Sequence, residues 1–253
     1  MLGNMKNKTS DYEFTVVVPV YNEAPNIARI EQAFDDFLPI SVRHTCVLFV
    51  NDGSVDESLS LIRNICASKP DYYYISFEHN AGLSAALKAG IDWCQSPYVG
   101  YIDADLQTSP RDFNQLLAYI SNHELVSGIR TGRKDSFGKR LQSKIANSFR
   151  RWMTGDTAQD TGCPLKVMHT DYAQRVPFFN GMHRFLPALF GLLGGRFMQV
   201  PVQHFPRVAG VSKFHLSNRL IGPFVDCFVF RWMRSRFLNY TVGENNLCEP
   251  DSE

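Results

Sequence analysis

The chain has 253 residues, 44% hydrophobic and 20% charged, enough to build one large α/β domain or one domain with an appendage. Its net charge of +1 offers no global field for nucleic acid, and six scattered cysteines without a C-x-x-C pair argue against a zinc site or a disulfide framework. The N-terminus lacks an apolar signal core, and no run reaches the roughly 18–20 apolar residues of a membrane span, so a cytoplasmic chain without a transmembrane helix is expected.

Residues 1–12 are polar and expected to be loose. Phe14–Val20 (FTVVVPV) reads as a buried strand from its unbroken β-branched content. A helix over Pro25–Phe37 and a strand over Thr45–Asn51 follow. Ser54–Ala67 reads as a helix capped by Ser54 or Asp56. Tyr72–Phe77 is a third strand, Leu83–Trp93 a third helix and Tyr98–Asp103 a fourth strand. This alternation predicts a mostly parallel sheet covered on both faces by helices. Beyond it the pattern loosens: helices over Phe137–Met153 and Arg184–Leu193, a strand over Phe197–Phe205, and a long helix over Ser217–Leu238. Residues 241–253 form an acidic tail, expected to be flexible.

Ligands of an open parallel sheet bind beyond the carboxyl ends of its strands. Three polar clusters fall there: Pro19-Val20-Tyr21-Asn22-Glu23, Asn51-Asp52-Gly53-Ser54 and Asp103-Ala104-Asp105-Leu106-Gln107. Gathered carboxylates are costly unless a cation or hydrogen-bond donors compensate them. Asp103 and Asp105, two apart on an extended segment, are expected to point opposite ways, one to a metal and the other to a sugar or ribose. Their hard oxygens, with Gln107 as a neutral addition, suit Mg²⁺ or Mn²⁺ bridging a diphosphate. Asp52-Gly53-Ser54 reads either as a turn with a helix cap or as a nucleoside contact, and both can hold. Asn80-Ala81-Gly82 is an ordinary loop or a close-approach turn near phosphate, where Gly82 lets backbone come near a ligand. His79 and His183 read as structural or solvent-facing, and Trp93, Trp152 and Trp232 as packing residues.

The series VVVPVYNE (Val16–Glu23), VNDGSVDES (Val50–Ser58), HNAGLSAALKAG (His79–Gly90) and DADLQ (Asp103–Gln107) resembles the family 2 glycosyltransferases of the GT-A fold. GIRTGR (Gly128–Arg133), DTGCPLKVM (Asp160–Met168), HRFLPALF (His183–Phe190) and RVAGVSKF (Arg207–Phe214) look like the polyprenyl-phosphate sugar transferases within it, the group of dolichol-phosphate mannose synthase and its bacterial relatives. The resemblance spans residues 13–238. It implies a GT-A domain over 13–215 that moves a hexose, with inversion, from a UDP- or GDP-sugar to a lipid phosphate. Pro19, Tyr21, Glu23, Val50 and Asp52 match positions that hold the nucleoside. Asp103, Ala104, Asp105 and Gln107 match the donor and metal site, with Asp105 and Gln107 as ligands. Arg207, Ser212 and Lys213 match the segment that closes over the diphosphate, and Arg130, Lys139, Arg140 and Ser143 match positions that receive the acceptor phosphate.

An ionised phosphate acceptor needs positive charge rather than a strong base, and eight Lys/Arg against the single acid Asp135 from Arg130 to Arg151 supply it, unless they form a solvated basic face. A saccharide hydroxyl would instead need a carboxylate base, for which Asp160 is the candidate; with a phosphate acceptor Asp160 orients. The last helix pairs apolar residues from Leu220 to Phe237 with Arg219, Arg231, Arg234 and Arg236. That pattern suits a helix over 216–240 lying at the cytoplasmic membrane face, or one packed on the core or on a second copy of the chain. A binding module without turnover is a further reading. A nicotinamide dehydrogenase lacks its G-x-G-x-x-G after the first strand.

Overall fold

The computed structural model describes residues 8–131, 137–206, 216–238 and 244. Its centre is a seven-stranded sheet of order β3-β2-β1-β4-β6-β5-β7. β1 (Phe14–Val20) pairs in parallel with β2 (Thr45–Asn51) and β4 (Tyr98–Tyr101), and β2 with β3 (Tyr72–Ser76). The valines of β1 alternate between two cores. Val16, Val18 and Val20 pack with Ile27, Ile30 and Phe34 of α1 (Ala24–Phe37) and Ile62 of α2 (Ser58–Ser68). Val17 packs on the other face with Leu87 and Ile91 of α3 (Leu83–Trp93). Burial on both faces is why the strand reads as an unbroken apolar run.

The second half extends the sheet with β5 (Leu125–Thr131), β6 (Lys166–His169) and β7 (Phe197–Gln203). β6 runs antiparallel to both β4 and β5, while β5 and β7 are parallel. Short helices α4 (Phe113–Leu117), α6 (Thr170–Arg175) and α7 (Leu186–Leu192) fill the connections. α5 (Phe137–Thr154) and α8 (Leu216–Arg236) pack against each other.

Several boundaries differ from expectation. Lys8–Asp11 form a 3-10 turn, and Tyr12 is buried, stacked on His44 and bonded to Asp71, so order begins ahead of the expected residue 13. α2 starts four residues later than predicted because Ser54 is spent elsewhere: its Oγ accepts the Asn22 N–H at 2.9 Å. β4 stops at Tyr101, where the chain turns out of the sheet. The helix expected over Arg184–Leu193 divides into a 3-10 turn at Met182–Arg184 and α7. Residues 1–7, and 239–253 apart from 244, lie outside the described residues.

α8 buries Cys227 and Phe230, the latter stacked on Phe185 with ring centroids 6.0 Å apart. Its other side leaves Phe224, Val225, Phe228, Val229 and Trp232 about half exposed or more, next to the exposed Trp152 of α5. Phe149 stacks on Phe224 at 5.0 Å, and Arg231 lies over the Trp152 ring at 5.8 Å. Among the described residues no helix is long and apolar enough to cross a membrane.

Candidate active site

At the carboxyl ends of β1, β2 and β4 opens a cleft of about 760 Å³. Pro19, Tyr21 and Glu23 come to it from β1, Asp52 from β2, Asn80 and Gly82 from the loop after β3, and Asp103, Ala104 and Asp105 from the turn after β4. Eight of the expected donor-site residues are thus brought together. Val50 is instead fully buried in the core on the α3 side.

Asp52 is buried, and its carboxylate braces the neighbouring loop. Oδ1 accepts the Ala81 N–H at 2.7 Å, and Oδ2 accepts the Gly82 N–H at 2.9 Å and the Asn80 amide at 2.8 Å. Three donors supply what a buried carboxylate needs. The close approach requires Gly53, whose φ is +64° and on which a Cβ would lie 2.4 Å from the His79 carbonyl carbon. The NDGS segment is a turn that buttresses the cleft wall with a carboxylate at its edge, but the expected helix cap by Ser54 is absent: Ser54 bonds Asn22, and α2 starts after Glu57 with no side-chain cap from that residue. Ser54 and Ser58 tie the loop to the first strand's end by accepting the N–H groups of Asn22 and Glu23, each at 2.9 Å.

The DADLQ segment is a tight turn, not an extended strand end. The Leu106 N–H reaches the Asp103 carbonyl at 3.3 Å, and Leu106 is held at φ +51°, unusual for a branched residue. Asp103 and Asp105 both line the cleft, correcting the expectation that they point opposite ways: residues two apart share a face even on an extended segment, and the turn keeps both at the cleft. Asp105 Oδ1 accepts the Gln107 N–H at 3.1 Å. Gln107 is not part of the cleft lining; its carbonyl accepts the Phe205 N–H at 2.9 Å, which ties the end of β7 to this turn. Among the described residues no three His, Cys, Asp or Glu side chains gather closely enough to cage a metal. One or two carboxylates at the lip of an open cleft do fit a hard cation that completes its shell with phosphate oxygens and water.

Arg130, at the end of β5, and Asp160 form a two-pronged ion pair, Nε to Oδ2 at 2.8 Å and Nη2 to Oδ1 at 2.9 Å. Burial pushes the Asp160 carboxyl up, but the Arg130 fork and charge outweigh it and hold the group below the usual carboxylate range. A Cβ on Gly162 would lie 2.8 Å from Arg130 Nη2, so any larger residue there would have to push the guanidinium aside. Lys166 is wholly buried below, donating to the Cys163 carbonyl, with its ammonium 5.0 Å from the Tyr101 ring. Burial pushes its pKa down, while Cys163, Asp160 and Asp103 oppose that shift. Arg130 and Asp160 lie apart from the cleft lining, although Arg130 feels the charge of Asp103. The side chains of Lys139, Arg140 and Ser143 on α5, and all of Arg207, Ser212 and Lys213, lie outside the described residues.

The cleft has a second wall that sequence reasoning missed. Asn180, Gly181, His183 and Arg184 come from the turn before α7, and Gly222 and Asp226 from α8. Ser84 of α3 joins the walls, since its Oγ accepts the Gly181 N–H at 2.9 Å and lies 3.2 Å from His183 Nδ1. Burial, then the charges of Arg184 and Lys166, push the His183 pKa down to about 3, so its ring stays neutral.

The chain matches the family described as "Glycosyl transferase family 2" over residues 15–184. It is 31% identical over 237 residues to a dodecaprenyl-phosphate galacturonate synthase of Rhizobium johnstonii, covering 88% of this chain and 69% of that protein. It is 28% identical over 226 residues to an undecaprenyl-phosphate 4-deoxy-4-formamido-L-arabinose transferase of Edwardsiella ictaluri, covering 87% and 69%. Among solved structures it is similar to glucosyl-3-phosphoglycerate synthase from Mycobacterium tuberculosis in complex with Mn²⁺, UDP and glucosyl-3-phosphoglycerate. The TM-score is 0.65 at 16% identity, covering 96% of this chain and 87% of that one. This likeness bears out the expected GT-A fold.

Proposed function

The chain belongs to glycosyl transferase family 2, and from that membership we propose that it moves a hexose, with inversion, from a nucleotide-diphosphate sugar to a polyprenyl phosphate. The observation that carries this reading is the convergence of Asp52, Asp103 and Asp105 on one cleft at the ends of parallel strands. Tyr21, Glu23 and Asp52 edge the nucleoside end. Asp103 and Asp105, with Gln107 where its amide can reach, would hold Mn²⁺ or Mg²⁺ together with the diphosphate. When bound, such an ion offsets the charge that grows on the departing diphosphate. By the family resemblance, Arg207, Ser212 and Lys213 would contact the same phosphates.

A polyprenyl phosphate arrives already ionised, so the chain needs to dock and orient it rather than deprotonate it. Arg130, with its planar guanidinium held by Asp160, and Lys139, Arg140 and Ser143 on α5 take that role. Both Asp160 oxygens are engaged by Arg130, which suits an orienting residue and not a base. The acceptor names of the relatives from Rhizobium and Edwardsiella support a lipid phosphate as partner. The exposed aromatic ridge of α5 and α8, flanked by Arg231, Arg234 and Arg236, meets the cytoplasmic membrane face, where such an acceptor resides.

The test is transfer of radiolabelled sugar from UDP- and GDP-hexoses, with Mn²⁺, to undecaprenyl phosphate and to saccharide acceptors side by side. An acid-labile lipid-linked product supports the reading, and product on saccharide hydroxyls alone overturns it.

A further inference from the structure

The donor reading uses one wall of the cleft. The opposite wall carries a carboxylate and a guanidinium that this reading leaves without a task. Asp226, on the cleft side of α8, has no hydrogen bond or ion pair among the described residues, although the charge of Arg184 acts on it. Its approach to the turn before α7 depends on Gly181: this residue has φ +93°, and a Cβ on it would lie 2.9 Å from Asp226 Oδ2. Arg184 follows in the same turn, and its N–H is fixed to the Gly181 carbonyl at 3.2 Å. The turn is in turn pinned to α3 through Ser84. A carboxylate and a guanidinium thus line the same cavity as the acidic rim, on a turn whose backbone is held in place.

We propose that Asp226 and Arg184 are the sugar-selecting residues, the carboxylate accepting from and the guanidinium donating to hydroxyls of a neutral hexose. The proposal rests on the donor reading above: with the nucleotide along Tyr21 and Asp52 and the diphosphate at Asp103 and Asp105, the hexose is the part left to meet the far wall. The two side chains balance in charge, which matches uncharged vicinal hydroxyls. A hexuronate would set a second carboxylate near Asp226, whose own ionisation burial already opposes, with Arg184 only partly offsetting it.

Calorimetry in Mn²⁺ with UDP, UDP-glucose, UDP-glucuronate, GDP and GDP-mannose, on the full chain and on Asp226→Asn, tests this. In the wild type the matching hexose nucleotide binds more tightly than its free nucleotide and than the uronate. In Asp226→Asn, affinity for the free nucleotide stays within about twofold, while affinity for the hexose nucleotide drops about tenfold and the discrimination against uronate shrinks. Gly181→Ala, which displaces the carboxylate without changing charge, gives the same selective loss. An unchanged ratio of hexose-nucleotide to free-nucleotide affinity in Asp226→Asn overturns the assignment and leaves the donor reading standing. Failure of the wild type to bind any of the five probes sinks the donor reading itself, and the assignment with it.

Discussion

The Asp52 carboxylate at the end of β2 accepts the backbone N–H of Gly82, the residue that opens α3, at 2.9 Å. With the bonds from Asn80 and Ala81 it joins two loops into one wall, so the wall's shape depends on a charged acceptor. Asp52→Asn sets an amide against at least one backbone N–H. Bonds to charged groups contribute about 1.5–3 kcal/mol, so a fall in Tm of several degrees and nucleotide affinity at least tenfold weaker are expected. Thermal unfolding and calorimetry read both. Wild-type values in both would show that the brace is dispensable.

Asp160→Asn separates orientation from base catalysis. If Asp160 only holds Arg130, the variant retains measurable transfer to a lipid phosphate with a raised KM for the acceptor. Loss of a general base would instead cut kcat by about 10²–10⁴-fold. The pH dependence of stability gives a second reading. The folded carboxyl is held below its ordinary value of 3.8, so its contribution is fully present above that pH and disappears as pH falls through the lower folded value. The stability difference between wild type and Asp160→Asn, followed by denaturant melts, is therefore constant from pH 8 to about 5 and narrows only below about 4.

His183 works in the opposite range. Its folded pKa lies near 3 against an ordinary 6.5, so the fold disfavours the protonated ring. That neutral-ring contribution is complete above 6.5 and declines as pH falls towards 3, by up to about 1.4 kcal/mol per pH unit. His183→Gln, which cannot take up that proton, flattens the stability profile between pH 6 and 4. An identical slope in wild type and variant would contradict the burial of this ring.

The ridge formed by Phe224, Phe228, Trp232 and Trp152 is accessible on the outer side of α5 and α8. Phe228→Ser combined with Trp232→Ser removes apolar contact while leaving Cys227 and Phe230 to hold the helix in place. Binding to vesicles containing anionic lipid, measured by sedimentation, is expected to fall at least tenfold, with Tm changed little. Vesicle binding equal to wild type would assign the ridge to another partner.

The first half of the fold was legible because its signals are local. Phe14–Val20, Thr45–Asn51 and Leu83–Trp93 have the boundaries that unbroken apolar runs and the Gly82 breaker predict. β5 escaped because Ser127-Gly128 interrupts its apolar pattern; Gly128 is there because a Cβ would meet Val202 and Cys163. β6 has only four residues and includes Lys166, a charge whose burial no local rule announces. At the site, the carboxylates of the rim could be named from their places after strands. The Asp103–Asp105 expectation failed on strand geometry itself, because side chains two apart on an extended segment share a face; the turn after Tyr101 keeps both on the cleft. Arg184 and Asp226, 42 residues apart by number, meet only through the packing of α8 against the turn before α7, a relation that spacing along the chain does not encode.

A crystal of the chain soaked with Mn²⁺ and a nucleotide diphosphate, with the metal located by its anomalous scattering, addresses the acidic rim most directly. One manganese peak is expected within coordination distance of the Asp105 carboxylate, with diphosphate oxygens in its shell and the base along Tyr21 and Asp52. Soaking the Asp105→Ala protein removes the peak. A metal-free rim with nucleotide bound elsewhere, or a manganese site away from Asp103 and Asp105, would contradict the donor site described above.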